Sequence, residues 1–192
     1  CEQIVASLNA FDDANVANSA LVLGDLLCAE PKQRTILLVS GIIESSVRVL
    51  QLHQSHEGVV IAASRILQTF TDDTHVQFSQ HQNSLMELGV LETLIESGRE
   101  YLENREALLE ILTAIVHISR RNDVCIAILM ANNVGSVVHL TLLHYATCDP
   151  VLSKAACSII VLCATKSESR ESFGKVGMCD PVFTALKHAC EV

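Results

Sequence analysis

The chain has 192 residues, of which 49% are hydrophobic, 18% are charged and 4% are aromatic. This composition excludes intrinsic disorder and, with only three Pro and eight Gly, collagen-like and low-complexity classes; it also predicts an aliphatic core. Thirteen Lys and Arg against 22 Asp and Glu give a net charge of −9. This charge argues against a nucleic-acid-binding protein and favours a basic partner, although it also simply keeps a protein in solution.

The first residue is Cys1, and no basic segment followed by an apolar run comes after it. We therefore expect a processed or excised piece of a larger protein, without a signal peptide. The eight Cys are scattered, none forms a C-x-x-C pair, and most lie within apolar helical runs. This distribution predicts free thiols in a reducing compartment, the cytoplasm, rather than a disulfide framework.

Apolar residues recur at helical spacing along the chain, and no segment shows the alternation of a strand. In chain order, Pro31 is predicted to begin a short helix, Pro150 a long helix that continues to about Thr165, and Pro181 a further helix. The acidic residue before each proline is the expected N-cap.

The 25 residues of the segment Val124–Cys148 carry no formal charge, and this length could span a bilayer. Polar residues interrupt the segment, and the Asn-Asn pair at 132–133 followed by Gly135 indicates a corner. We therefore predict two helices, 122–131 and 136–147, and no membrane span.

Two patterns recur along the chain with periods of 42 to 48 residues. Similar apolar helical segments align at positions separated by 44, 48 and 44 residues, namely Asp25, Thr69, His117 and Val161. Glycines expected at the corner before an apolar helix are separated by 48, 46 and 42 residues, namely Gly41, Gly89, Gly135 and Gly177. Such periods are typical of α-helical repeat arrays, and we divide each unit into a first, a second and a third helix.

We predict a single repeat domain over residues 1–192, with about four units. The predicted bounds are 1–30 (partial), 31–72, 73–121, 122–166 and 167–192 (partial). The third helices are apolar almost all round, most clearly over Ala155–Cys163. A helix without a polar face is expected to be sandwiched between neighbours.

These segments resemble the armadillo repeat, whose third helix carries a pattern like A-A-x-A-L-x-N-L. The matching residues are Ala20, Leu23 and Leu26; Ala62, Ala63, Ile66 and Leu67; Ala114, Ile115 and Ile118; and the run from Ala155 to Leu162. The resemblance implies an all-α fold, a right-handed α-solenoid (superhelix) of armadillo-type three-helix repeats. It also implies a non-catalytic protein–protein interaction scaffold or adaptor that binds a partner segment in the concave groove.

Some members of this family clamp an extended peptide with groove Asn residues and hold its side chains with Trp residues one turn earlier. In this chain the Asn positions correspond to Asp25, Thr69, His117 and Val161, and the Trp positions to Leu21, Arg65, Thr113 and Cys157. Neither Asn nor Trp is retained, so we exclude a receptor for nuclear localisation signals. The resemblance then implies an irregular groove for one particular partner.

The residues predicted to bind this partner on the concave face are Asp25, Arg65, Thr69, Thr113, His117, Arg121, Cys157 and Val161. Five of them are spaced four apart on two third helices and are expected to face the same side, namely Arg65, Thr69, Thr113, His117 and Arg121. We interpret these five as a polar patch for acidic or polar groups of the partner. The alternative interpretation is a solvated helix face.

Two further segments differ from their surroundings. Residues 87–110 contain seven Glu and two Arg, and form either a surface for a basic partner or a solvated outer face. Residues 71–88 are longer than the corresponding region of the other units and contain a polar run. We expect an extended first helix or a protruding loop there.

The sequence contains no H-E-x-x-H motif, no Cys–His set at zinc-finger spacing and no Gly-rich phosphate loop. Cys157 and His117 on neighbouring third helices could mimic a nucleophile and its base, but nothing supplies an oxyanion hole or a third member. We therefore predict that the protein is not an enzyme and holds no cofactor or metal.

Three hypotheses for function follow. In the first, the partner is another protein or a peptide bound in the groove, with no role for nucleic acid. In the second, the chain is a structural module that stacks end to end or self-associates through the ends of its repeats. In the third, it is a docking-type regulator of a GTPase or a chaperone ATPase, a role that armadillo-like domains also serve.

Overall fold

A computed structural model describes residues 1–10, 12–71 and 78–191, and these residues form helices and connecting turns without a strand. The all-α prediction is confirmed. The helices are α1 (Glu2–Ala10), α2 (Ala14–Cys28), α3 (Pro31–Val39), α4 (Ile42–Leu52), α5 (Glu57–Phe70), α6 (Phe78–Glu87), α7 (Val90–Glu100), α8 (Arg105–Ser119), α9 (Asp123–Ala131), α10 (Val134–Tyr145), α11 (Pro150–Cys163), α12 (Ser167–Lys175) and α13 (Cys179–Glu191).

The helix starts follow the local sequence closely. Pro31 and Pro150 occupy the first turns of α3 and α11, as predicted, and the Asp149 side chain caps α11. The prediction for Pro181 is wrong by two residues, because α13 begins at Cys179. The proline is accepted inside this first turn because the first N–H groups of a helix have no acceptor within it.

Left-handed residues mark the corner before each second helix. Three corners contain the predicted glycines, Gly41, Gly89 and Gly177, with φ values of 86°, 68° and 70°. The fourth prediction is wrong: Asn133 adopts φ 55°, and Gly135 lies inside α10. Asn is among the few residues that adopt this conformation readily. The corrected corners are separated by 48, 44 and 44 residues, a more regular period than the sequence alone indicated.

The apolar segment after Asn122 forms two helices, as predicted. These helices, α9 and α10, are bent by 76° at the Asn132–Asn133 corner. Among the described residues, no single helix is both long and apolar enough to cross a membrane. Two bent pairs of helices, α3 with α4 and α9 with α10, are together long and apolar enough to cross one, by length and composition only.

The chain divides into two compact units, Cys1–Thr93 and Leu94–Val192. In the first unit, α2 packs along α5, and α4 packs against α5. In the second unit, α8 packs along α11, and α10 packs against α11. The helices predicted as third helices are therefore in contact with a second helix and with another third helix in both units. The repeat bounds proposed above stay predictions.

Side-chain bonds join residues that lie about one repeat apart in the chain. In the second unit, Lys166 pairs with Asp123 at 2.5 Å, and the Tyr145 hydroxyl donates to the Leu102 carbonyl at 3.0 Å, both across 43 residues. In the first unit, the His56 ring lies 3.4 Å from the Asn15 side chain, across 41 residues. Each of these contacts joins parts of the chain that lie 41 or 43 residues apart.

Two glycines of the first unit, Gly24 and Gly41, differ in backbone conformation. Gly24 is buried in α2, and an added Cβ would lie 3.5 Å from Ile42 and 3.6 Å from Ile66, which is ordinary contact. We expect Gly24→Ala to raise the free energy of unfolding by about 0.5–1 kcal/mol, because Ala loses less entropy in a helix.

The matched variant Gly41→Ala should lower the free energy of unfolding by about 1–2 kcal/mol, because Gly41 has φ 86°. Urea unfolding followed by circular dichroism measures both values. Changes of the same sign for the two variants would contradict this account.

Candidate partner-binding groove

The exposed sides of α8 and α11 line an open groove in the second unit. It consists of two adjoining cavities of about 300 and 330 Å³, which share Val116, Arg120, Lys154 and Ser158. The first cavity is also lined by Leu109, Thr113, His117, Val151 and Ala155. The second is also lined by Cys157, Val161 and Leu162.

Four of the eight residues predicted to bind a partner line this groove. Thr113 and His117 lie in the first cavity, and Cys157 and Val161 lie in the second. They line one groove because α8 and α11 pack side by side and residues four apart share one face of a helix.

Arg121 was placed wrongly by the sequence argument. Helix α8 ends at Ser119, and Arg121 follows in a left-handed conformation with φ 55°. A repeated step of four residues also drifts around a helix with 3.6 residues per turn, so seven residues return to the starting face better than eight. Arg120, seven residues after Thr113, lines both cavities instead.

Lys154 is the second groove residue that the sequence argument missed. It lies on the exposed side of α11 and lines both cavities. A spacing signal was available, because Lys154, Ser158 and Val161 follow the four- and seven-residue steps of one helix face. Lys154 corresponds to neither the Asn nor the Trp positions of the armadillo pattern.

The remaining predicted residues belong to the first unit. Asp25 lies on α2, and Arg65 and Thr69 lie on α5, all three half-buried. The Thr69 hydroxyl donates to the Arg65 carbonyl at 3.1 Å. Leu21, which corresponds to a Trp position of the armadillo pattern, is fully buried and cannot hold a ligand side chain. A common face for residues of α5 and α8 stays a prediction.

The groove is locally positive. Arg120 and Lys154 line it, and no Asp or Glu is among the residues that line either cavity. This local charge is opposite to the net charge of −9 on the whole chain. Since exposed charges are screened beyond about 10 Å, the groove favours acidic groups, although the composition favoured a basic partner.

Hydroxyl groups provide hydrogen-bond acceptors along the groove. The Thr113 hydroxyl donates to the Leu109 carbonyl at 2.7 Å, and the Ser158 hydroxyl donates to the Lys154 carbonyl at 2.9 Å. Each hydroxyl proton is therefore used within its own helix. The oxygen keeps lone pairs that can accept an N–H group from a bound main chain.

Each cavity of the groove contains an exposed apolar residue. Val151 in the first cavity has 53% of its surface exposed, and Val161 in the second has 70%. The expectation that the third helices are sandwiched on all sides is therefore wrong for α11. An apolar residue on a groove wall is available to contact a ligand, because its burial on binding is favourable.

The structure gives Cys157 no features of a nucleophile. Burial raises the pKa of its thiol, which favours the unreactive protonated form. Cys157 and His117 also line different cavities. Among the described residues, no group of three or more His, Cys, Asp or Glu side chains could hold a metal ion.

The acidic segment 87–110 has exposed carboxylates, and part of the polar segment before it is helical. Glu96, Glu100 and Glu103 are exposed, which agrees with a solvated face. Arg99 donates to the Asn132 carbonyl at 2.6 Å. Of the polar segment 71–88, residues 72–77 lie outside the described part of the chain, and Phe78–Glu87 forms α6.

Asp149 connects the N-termini of the two helices that form the groove. Its side chain accepts the N–H groups of Val151 and Leu152, each at 3.0 Å, and pairs with Arg105 at the start of α8. Burial acts to raise the pKa of Asp149. The two N–H groups and the Arg105 guanidinium outweigh burial, so this pKa lies below its usual value of 3.8.

Two variants separate the roles of this carboxylate. Asp149→Ala removes the cap and the ion pair and should lower the free energy of unfolding by about 1–2 kcal/mol at pH 7. Asp149→Asn keeps a capping oxygen and should lose less, about 0.5–1 kcal/mol. Equal losses in urea unfolding experiments would show that the cap contributes nothing.

The contribution of Asp149 to stability depends on pH with a defined sign. Because the folded-state pKa of Asp149 is lowered, its ion-pair contribution is present above about pH 4 and is lost as the pH falls through that pKa. The stability difference between wild type and Asp149→Asn should therefore be constant near neutral pH and disappear in acid. A difference that grows on acidification would contradict this assignment.

Comparisons with known proteins address the fold alone. No family model and no curated protein matches this chain. The chain is similar to the crystal structure of an engineered protein from the Northeast Structural Genomics Consortium, with a TM-score of 0.58. The similarity covers 99% of this chain and 96% of that chain at 16% sequence identity.

Proposed function

We propose that this chain is a right-handed armadillo-type α-solenoid that acts as a non-catalytic scaffold and binds a segment of a partner protein in the α8–α11 groove. The regular left-handed corners and the side-chain bonds between residues one repeat apart support the repeat architecture. The similarity to an engineered protein supports a helical fold of this length and adds nothing about function.

The groove itself is the observation that carries the binding proposal. Its floor consists of helices that pack tightly, so its shape is formed before a ligand arrives and little entropy is lost on binding. It combines two cations, hydroxyl acceptors and exposed apolar residues within about 300 to 330 Å³ per cavity. This combination suits a few side chains of another protein better than a reaction, since burial raises the pKa of the Cys157 thiol and so disfavours the thiolate.

An affinity capture with matched variants tests the binding proposal. Lys154→Glu reverses one charge in the groove, and Lys175→Glu makes the same change at an exposed position on α12 outside it. Proteins captured from a cell lysate by the wild type and the control, but reduced at least about fivefold with Lys154→Glu, would support groove binding. Identical captured proteins for all three forms would reject it.

A second candidate function, self-association, has an observation in its favour. Phe183 and Leu186 on α13 are 70% and 54% exposed. Counted from the left-handed corner, the same positions of α4 are Val47 and Leu50, and both are fully buried. In the first unit α5 packs on α4. The face of α13 that contains Phe183 and Leu186 is therefore exposed, whereas the corresponding face of α4 is buried.

Sedimentation at several concentrations tests self-association. If α13 mediates it, the apparent mass of the wild type should rise with concentration, and Phe183→Ser with Leu186→Ser should stay at the mass of one chain. Val124→Ser, at an exposed position on α9, serves as the control. A constant wild-type mass up to about 100 μM would exclude an association of ordinary affinity.

A further inference from the structure

Lys154 is the groove cation that is available to a ligand. It is exposed on α11, and it forms no ion pair with the part of the chain that the structure describes. Arg120 lines the same cavities but already interacts with other groups of the protein. A carboxylate that binds at Lys154 therefore displaces water and breaks no bond within the described residues.

The far end of the groove lacks charge. Cys157, Val161 and Leu162 line the second cavity beyond the shared residues, and Val161 is 70% exposed. An aliphatic side chain placed there would bury its own surface and that of Val161. Both changes favour binding through the hydrophobic effect.

The distance between these two features determines the spacing of a ligand. Lys154 and Val161 are seven residues apart on α11. Seven residues of helix rise by about 10 Å at 1.5 Å each. An extended peptide advances about 3.3 Å per residue, so it covers this distance in about three residues.

We propose that the α8–α11 groove recognises an extended segment of another protein in which an acidic and an aliphatic residue stand about three positions apart. This inference rests on the function proposed above and names the chemistry of the partner. The acidic side chain pairs with Lys154, and the aliphatic side chain contacts Val161. Main-chain N–H groups of the segment donate to the hydroxyl oxygens of Thr113 and Ser158.

Selection from a phage-displayed library of short random peptides on the full 192-residue chain tests this proposal. The enriched peptides are then labelled with fluorescein and titrated by fluorescence anisotropy. The variants are Lys154→Glu, Lys154→Gln and Val161→Asp, with Lys175→Glu as the charge-matched control and Val124→Asp as the control for Val161. All four positions are exposed, and thermal unfolding of each variant verifies its fold.

We expect enriched peptides that share an acidic and an aliphatic residue at the stated spacing. Their affinity should fall about tenfold with Lys154→Glu and Val161→Asp, about threefold with Lys154→Gln, and less than about twofold with either control. Raising the salt concentration should weaken wild-type binding, because the pair at Lys154 is exposed.

Two outcomes would overturn the proposal, and they are distinguishable. Enriched peptides that depend on Val161 but lack an acidic residue, or bind Lys154→Glu unchanged, would reject the acidic–aliphatic class and leave groove binding intact. Enriched peptides that no groove variant weakens, or a selection without enrichment, would reject both this inference and the proposed function.

Discussion

The side-by-side packing of third helices is the contact on which the core of each unit and the groove depend. In the second unit these helices are α8 and α11, and they carry small residues that are fully buried, among them Ala107, Ala114 and Ala156. Residues of this size let two helix axes approach to the 8–10 Å of close packing. Larger aliphatic residues such as Ile111 and Ile159 then fill the remaining space. The groove is the outer side of this same contact, so its shape follows from the core.

Polar contacts set the register of that packing. Asp149 caps α11 and pairs with Arg105, so one carboxylate positions the beginnings of both groove helices. Apolar packing alone allows one helix to shift slightly along another. A carboxylate that caps one helix and pairs with a residue of the other allows few relative positions of the two helices. The distance between Lys154 and the residues of α8 depends on this alignment. The stability of the protein at Asp149 and the binding properties of the groove are therefore physically connected.

Net charge and local charge lead to opposite conclusions about a partner. The chain carries −9, yet the groove residues that can meet a ligand include Arg120 and Lys154 and no carboxylate. Counting charges along the sequence averages over surfaces that face different directions. Because salt screens charges over about 10 Å, the nearby cations dominate inside the groove.

The sequence by itself determined the helical class, the starts of α3 and α11 and three of the four corners, because these depend on caps, prolines and glycines that act within a few residues. It also placed Thr113, His117, Cys157 and Val161 on helix faces that line the groove. Only the tertiary structure decided that Asn133 forms a corner and that Gly135 lies inside α10, where an added Cβ would come within 3.1 Å of Phe173. It also decided that Arg120 and Lys154, rather than Arg121, meet in the groove. That selection depends on where α8 ends and on which side of α11 its neighbours leave uncovered. Residue spacing shows that Lys154, Ser158 and Val161 share one side of α11, but not that this side is left uncovered.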